Sequence, residues 1–161
     1  MTWTSRKGFH LATALLVVFS SAATAIAAAD STMTPARMEA LLGTYHGKVV
    51  LVDYWATWCP PCRTAAPEME ALYRSLHGEG LEVVGVSVDR DEIPVQAFIA
   101  RHKVTYPVYI GTADLRLLQN ISVLPTTVLI SRDGSVAGRY IGYLPQETLE
   151  EKIRGLLAQE P

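Results

Sequence analysis

One segment constrains the fold more than any other: an apolar run, Val50–Trp55, followed four residues later by Cys59-Pro60-Pro61-Cys62. A continuous apolar run of this length is typical of a strand buried on both faces, as at the centre of an α/β sheet. The residues after the run predict a helix over 60–76. The two cysteines, the only ones among 161 residues, therefore lie where a strand leads into a helix, and any thiol chemistry must take place there.

The pattern of apolar residues and turn signals predicts alternating helices and strands over the rest of the chain. Residues 132–134, Arg-Asp-Gly, fit the turn of a β-hairpin. The order indicates one α/β sandwich with a mixed central sheet flanked by helices, and with a helical insertion before the hairpin. The predicted strands are 48–55, 81–88, 106–110, 126–131 and 135–143, and the predicted helices are 35–42, 60–76, 94–102, 113–119 and 145–158.

The N-terminal residues have the organisation of a secretory signal. Arg6 and Lys7 precede an apolar run over 11–19 and an uncharged, alanine-rich stretch over 20–29 that contains small-x-small cleavage motifs. Because 11–29 is just long enough to span a bilayer, an uncleaved anchor is the alternative. We favour cleavage and expect an exported, periplasmic domain over 30–161, in contact with the membrane only if the signal is retained.

Charge excludes one class of partner. Residues 30–161 carry 12 Lys and Arg against 16 Asp and Glu, a net charge of −4, with the basic residues scattered. This balance does not predict a nucleic-acid-binding surface. We also expect no cofactor and assign no metal ligands.

Export affects how the cysteine pair is interpreted, because an oxidising compartment allows purely structural disulfides. A bond between Cys59 and Cys62 would close a ring of only four residues and would restrict the unfolded chain little. A reversible dithiol–disulfide pair is therefore the better interpretation. Cys59, at the helix N-terminus, is the predicted nucleophile, because unpaired N–H groups and the helix dipole stabilise a thiolate. Cys62, one turn further on, is the predicted resolving thiol.

The segment Trp55–Cys62 resembles the active site of the thioredoxin superfamily, in particular its exported, TlpA-like thiol–disulfide oxidoreductases. Pro67 matches the proline within the active-site helix of that family. Leu124-Pro125-Thr126 matches its cis-proline loop, and Gly142 matches a glycine in its last strand. The resemblance covers roughly residues 36–158. It implies a thioredoxin-like fold whose insertion is a helix–strand–helix element.

The resemblance also implies roles for further residues. Asp53 takes the position of the buried acid of thioredoxin, where desolvation would raise its pKa and allow proton exchange with Cys62. The alternative is that Asp53 only satisfies buried backbone groups. Pro125 would be cis, and the Leu124–Thr126 loop would bind an extended segment of a client. Trp58 could extend this docking surface or simply pack.

The implied function is reduction of disulfide-bearing client proteins, with a membrane electron donor that reduces the pair again. Cytochrome c and copper-site maturation are the client classes that the resemblance suggests. The alternatives are a disulfide donor or isomerase and, less favoured, a copper-binding chaperone. A peroxidase is disfavoured, because the cysteine lies in a Cys-x-x-Cys pair rather than in a Thr-x-x-Cys setting.

Overall fold

The computed structural model describes Met1 and residues 31–159, which contain one six-stranded mixed sheet with helices on both faces. The signal expected over residues 1–29 therefore lies outside the described residues, apart from Met1. The strands are β1 (Thr32–Met33), β2 (Val49–Trp55), β3 (Leu81–Ser87), β4 (Val108–Gly111), β5 (Thr126–Ile130) and β6 (Val136–Ile141).

The helices agree with the sequence prediction to within two residues at each end. Helix α3 begins at Glu92 rather than at the predicted Pro94, because a proline within the first turn lacks only an N–H that would have no intrahelical partner. The helices are α1 (Pro35–Thr44), α2 (Pro60–Leu76), α3 (Glu92–His102), α4 (Ala113–Leu118) and α5 (Gln146–Leu157).

The sheet has the order β1-β4-β3-β2-β5-β6, so the apolar strand β2 is central, as its sequence predicts. β2 pairs in parallel with β3 and antiparallel with β5, which makes the sheet mixed. The helix–strand–helix insertion is α3, β4 and α4. Sequence analysis missed β1, a two-residue strand that pairs with β4 at the edge of the sheet.

The two faces of β2 pack against different helices, and the alternation of side chains along β2 decides which residues face the helix that carries the cysteines. Val50, Val52 and Tyr54 pack on the face that carries α1 and α4. On the other face, Leu51 contacts residues of α2 and α5, and Trp55 packs with the first turns of α2 and with α3. Asp53 lies between Leu51 and Trp55 on this second face, because side chains of a strand alternate with a period of two.

Among the described residues, no helix is long and apolar enough to cross a membrane.

Candidate active site

Cys59 and Cys62 form a disulfide at the N-terminus of α2, with their Cα atoms 5.3 Å apart. Cys59 is the N-cap residue, with extended backbone angles, and its Sγ accepts a hydrogen bond of 3.3 Å from the backbone N–H of Cys62. Pro60 and Pro61 occupy the first two helical positions and have no N–H to donate. The N–H of Cys62, at the third helical position, is therefore the first one in the helix that can donate to the sulfur of Cys59.

The two cysteines are equally buried but face different surroundings. Cys59 is 3% exposed and Cys62 is 2% exposed, so accessibility alone does not separate attacking from resolving sulfur in the disulfide form. Cys59, however, lines an open groove of about 310 Å³, and Cys62 does not. The groove therefore adjoins one residue of the pair, Cys59.

The cis-proline loop predicted from Leu124-Pro125-Thr126 lies against the disulfide. The Leu124–Pro125 peptide bond is cis, and the Leu124 side chain packs against the cluster that contains both cysteines. The backbone of the loop is held by Gly142, whose N–H donates to the Pro125 carbonyl at 2.8 Å. Gly142 has a φ of +89°, a left-handed conformation that favours glycine.

Leu124 and Thr126 differ in what they can offer a partner. Among the described residues, no hydrogen bond involves the backbone N–H or C=O of Leu124, so both groups lack a partner within this part of the chain. Thr126 is 1% exposed, and its hydroxyl donates to the Val123 carbonyl at 2.7 Å. Thr126 therefore shapes the loop and does not present its side chain to the groove.

The two tryptophans of the active-site segment have opposite environments. Trp58 is 64% exposed and lines the groove beside Cys59. Trp55 is buried and packs on Phe98, with ring centroids 4.5 Å apart. Trp55 is thus a core residue, as its sequence context predicts, and Trp58 belongs to the surface around the disulfide.

Asp53 is a buried acid on the α2 side of β2. It is 3% exposed, and its Oδ1 has no hydrogen-bond partner among the described residues. Burial raises the pKa of Asp53 from 3.8 to about 7. The carboxyl group therefore gains or loses a proton near neutral pH, which is the property that a proton acceptor needs.

The strand beside Asp53 leaves little room for a side chain. Gly85 pairs with Asp53 in the register of β2 and β3. A Cβ at Gly85 would lie 3.1 Å from atoms of Tyr106 and Val108 and 3.3 Å from Trp55 Nε1. A cationic side chain at this position would have to displace these three side chains, so the local packing preserves the apolar surroundings of Asp53.

Sequence reasoning missed a second acid, Asp89, which fixes the loop before the disulfide. Asp89 is buried and accepts hydrogen bonds from the N–H of Thr57 at 2.9 Å, the hydroxyl of Thr57 at 2.7 Å and the hydroxyl of Ser87 at 2.6 Å. Thr57 directly precedes Trp58 and Cys59. A polar residue just beyond β3 could have signalled this contact, because the carboxyl ends of parallel strands meet at one edge of the sheet.

Comparison with known proteins agrees with this geometry. The sequence profile of the Redoxin family matches residues 21–157. The chain belongs to the Redoxin family. It is also 34% identical to the thiol-disulfide oxidoreductase ResA of Geobacillus kaustophilus over 116 residues, 71% of this chain and 67% of that protein. For ResA of Oceanobacillus iheyensis the identity is 33%, over 74% of this chain and 62% of that protein.

Solved structures of relatives share the thioredoxin-like fold of this Redoxin-family chain. A thioredoxin-family thiol:disulfide interchange protein from Chlorobium tepidum superposes with a TM-score of 0.68 at 27% identity, over 72% of this chain and 84% of that one. StoA from Bacillus subtilis gives a TM-score of 0.60 at 25% identity, over 66% and 83% of the two chains. The α/β architecture and the thioredoxin-like fold predicted from the sequence are confirmed.

Among the described residues, no three His, Cys, Asp or Glu side chains are grouped so as to hold a metal ion.

Proposed function

We propose that this protein is an exported thiol–disulfide oxidoreductase that reduces disulfides in client proteins. The observation that carries the proposal is the Cys59–Cys62 disulfide at the start of α2, with Cys59 on an open groove. Homology to proteins named thiol-disulfide oxidoreductase ResA supports the same reaction class. Disulfide exchange requires an attacking thiolate and a second thiol within reach, and this pair supplies both.

The reaction begins from the reduced dithiol. The Cys59 thiolate attacks one sulfur of the client disulfide, forms a mixed disulfide and releases the other client sulfur as a thiolate. Cys62, once deprotonated, attacks Sγ of Cys59, which closes the Cys59–Cys62 bond and releases the second client thiolate. Two electrons pass from the protein to the client. The groove supports this assignment of roles, because it reaches Cys59 and not Cys62.

Asp53 accepts the proton of Cys62 in the second step. Its place between Leu51 and Trp55, beneath α2, and its pKa of about 7 support this role. A base with such a pKa is partly ionised at neutral pH and can also return the proton when the pair is reduced again.

Client binding uses the backbone groups of Leu124 beside cis-Pro125. An extended client segment would pair with them as an added strand. Trp58 contributes exposed apolar area to the same groove, while Thr126 holds the loop through its bond to Val123.

The cellular setting is the periplasm, inferred from the secretory signal over residues 1–29. The oxidised pair then needs a membrane electron donor, because that compartment keeps thiols oxidised. Clients in cytochrome c or copper-site maturation fit this setting.

Trapping of mixed disulfides tests the roles of the two cysteines. Cys62→Ser should accumulate client proteins bound through Cys59, visible as bands that disappear on reduction, and Cys59→Ser should capture far less. The double variant is the control for non-covalent capture. Equal capture by the two single variants would contradict the assignment of Cys59 as nucleophile.

The reduction potential tests the direction of electron flow. A value of about −270 mV, as in thioredoxin, supports a reductase, whereas about −120 mV, as in DsbA, would make the protein a disulfide donor. Equilibration with glutathione or dithiothreitol buffers and quantification of both forms gives this value.

A further inference from the structure

The groove beside the disulfide has walls from two distant parts of the chain. The groove is lined by the active-site segment Trp58–Pro61 and by a second group of residues, Arg116, Ile121, Ser122 and Leu124. At about 310 Å³ the groove is large enough for one or two side chains of an extended segment. Arg116 is the one charged residue among those that line it.

The Arg116 side chain has no partner among the described residues, although its backbone is fixed. Its N–H donates to the Thr112 carbonyl at 3.2 Å, and its own carbonyl accepts from the N–H of Ile121 at 2.9 Å. Within the described part of the chain, the guanidinium group makes no hydrogen bond, ion pair or ring contact, and the residue is exposed. A positioned cation beside Cys59 is therefore free to bind an anionic group.

Exposed apolar residues line the groove together with this cation. Trp58, Pro60 and Pro61 are exposed and line the groove directly, and they form what we call the apolar rim of the groove. Exposed apolar groups gathered at one site are typical of a surface that binds another molecule.

We propose that this groove selects client segments in which a carboxylate side chain neighbours the reactive cysteine. Arg116 pairs with that carboxylate, and the apolar rim covers an adjacent apolar side chain of the client. This inference rests on the proposed reductase function and adds the chemical class of its substrate.

The overall charge of the protein cannot produce this preference. Residues 30–161 have a net charge of −4, so the long-range field opposes an acidic client. A preference for a carboxylate must then come from a local contact, and a single substitution at Arg116 should remove it.

Matched peptide disulfides test the inference. Three blocked peptides differ only in Glu, Gln or Lys next to the cysteine, and the reduced protein is mixed with each oxidised peptide. Rate constants are divided by those for dithiothreitol with the same peptide, because the neighbouring charge also alters the intrinsic reactivity of the disulfide. The wild type should favour Glu over Gln by about five-fold, the upper range for an exposed ion pair.

Substitutions of arginine test whether the preference for the Glu peptide depends on Arg116. Arg116→Gln should bring the Glu/Gln ratio close to one, and Arg116→Glu should invert the preference in favour of the Lys peptide. Arg101→Gln is the control, since Arg101 is an exposed arginine outside the groove and its loss changes the net charge equally. It should keep the wild-type ratio.

The outcomes distinguish a failure of the Arg116 inference from a failure of the proposed reductase function. Equal normalised rates of the wild type with all three peptides, or an equal loss of preference in Arg101→Gln, would overturn the role of Arg116 and leave the reductase intact. Failure to reduce any peptide that dithiothreitol reduces would overturn the proposed function and this inference with it.

Discussion

Replacing Asp53 by Asn should remove a pH dependence from the stability of the fold. Burial raises the pKa of Asp53 to about 7, against 3.8 for an exposed aspartate. Between these two values the folded protein binds more protons at this group than the unfolded chain does. Stability therefore falls as the pH rises from about 4 and levels off above about 7, the reverse of a salt-bridged aspartate.

The size of this change in stability follows from the pKa shift of Asp53. The change from 3.8 to about 7 corresponds to roughly 4 kcal/mol of destabilisation at high pH, at about 1.36 kcal/mol per pKa unit. Part of this destabilisation is already present at mildly acidic pH. Between about pH 5.5 and about pH 8.5 the wild type should lose roughly 2 kcal/mol more than Asp53→Asn.

Urea unfolding of the oxidised proteins over this pH range measures the difference. In the disulfide form the two cysteines do not titrate, and contributions from the histidines cancel between the proteins. Asp133→Asn is a suitable control, because hydrogen bonds from Ser131 and Ser135 hold the pKa of that exposed residue at about 2, below the range measured. Parallel stability profiles for wild type and Asp53→Asn would refute the raised pKa.

Four other substitutions test the packing and the loop described above. Gly85→Ala should destabilise the protein by about 1–3 kcal/mol through overpacking. Gly155 lies in the interior of α5, and apart from its neighbours and the backbone of the helix nothing lies within 4 Å of an added Cβ, so Gly155→Ala should stabilise the protein by about 0.5–1 kcal/mol. Urea unfolding measures both changes, and changes of the same sign would contradict this account. Asp89→Ala leaves three donors without an acceptor and should cost about 3 kcal/mol, with slower client reduction because Thr57 loses its anchor. Thr57→Val removes one of these bonds and should cost about 1 kcal/mol; equal losses in the two variants would contradict this account.

The sequence predicts the fold well because its strongest signals are local. The apolar run of β2 and the start of α2 at Pro60 follow directly from residue order, and the bounds of α2 are as predicted. Strand β1 was missed because two residues carry no detectable periodicity, and it exists only through its pairing with β4. Such an element depends on tertiary context.

The residues of the site also fall into those that belong to local motifs and those that tertiary structure brings there. The disulfide and the cis-proline loop belong to short motifs, so the sequence locates them. Asp89 binds Thr57 and Arg116 lines the groove beside Cys59, both from distant parts of the chain, and neither residue stands in a recognisable pattern. Placements of this kind follow from the order of the strands in the sheet. The sequence predicts the class of sheet but not that order.

The environment of Asp53 connects the packing of the sheet to the proposed chemistry. A base that accepts a proton from Cys62 works best when its pKa is close to the working pH. Gly85 stands opposite Asp53, and surrounding side chains already fill the space that a longer side chain would need. Because no cation can occupy this position without repacking, desolvation acts unopposed and holds the pKa of Asp53 near neutrality. The same close packing that destabilises the ionised carboxylate therefore gives it the pKa that its proposed role as base in the resolving step requires.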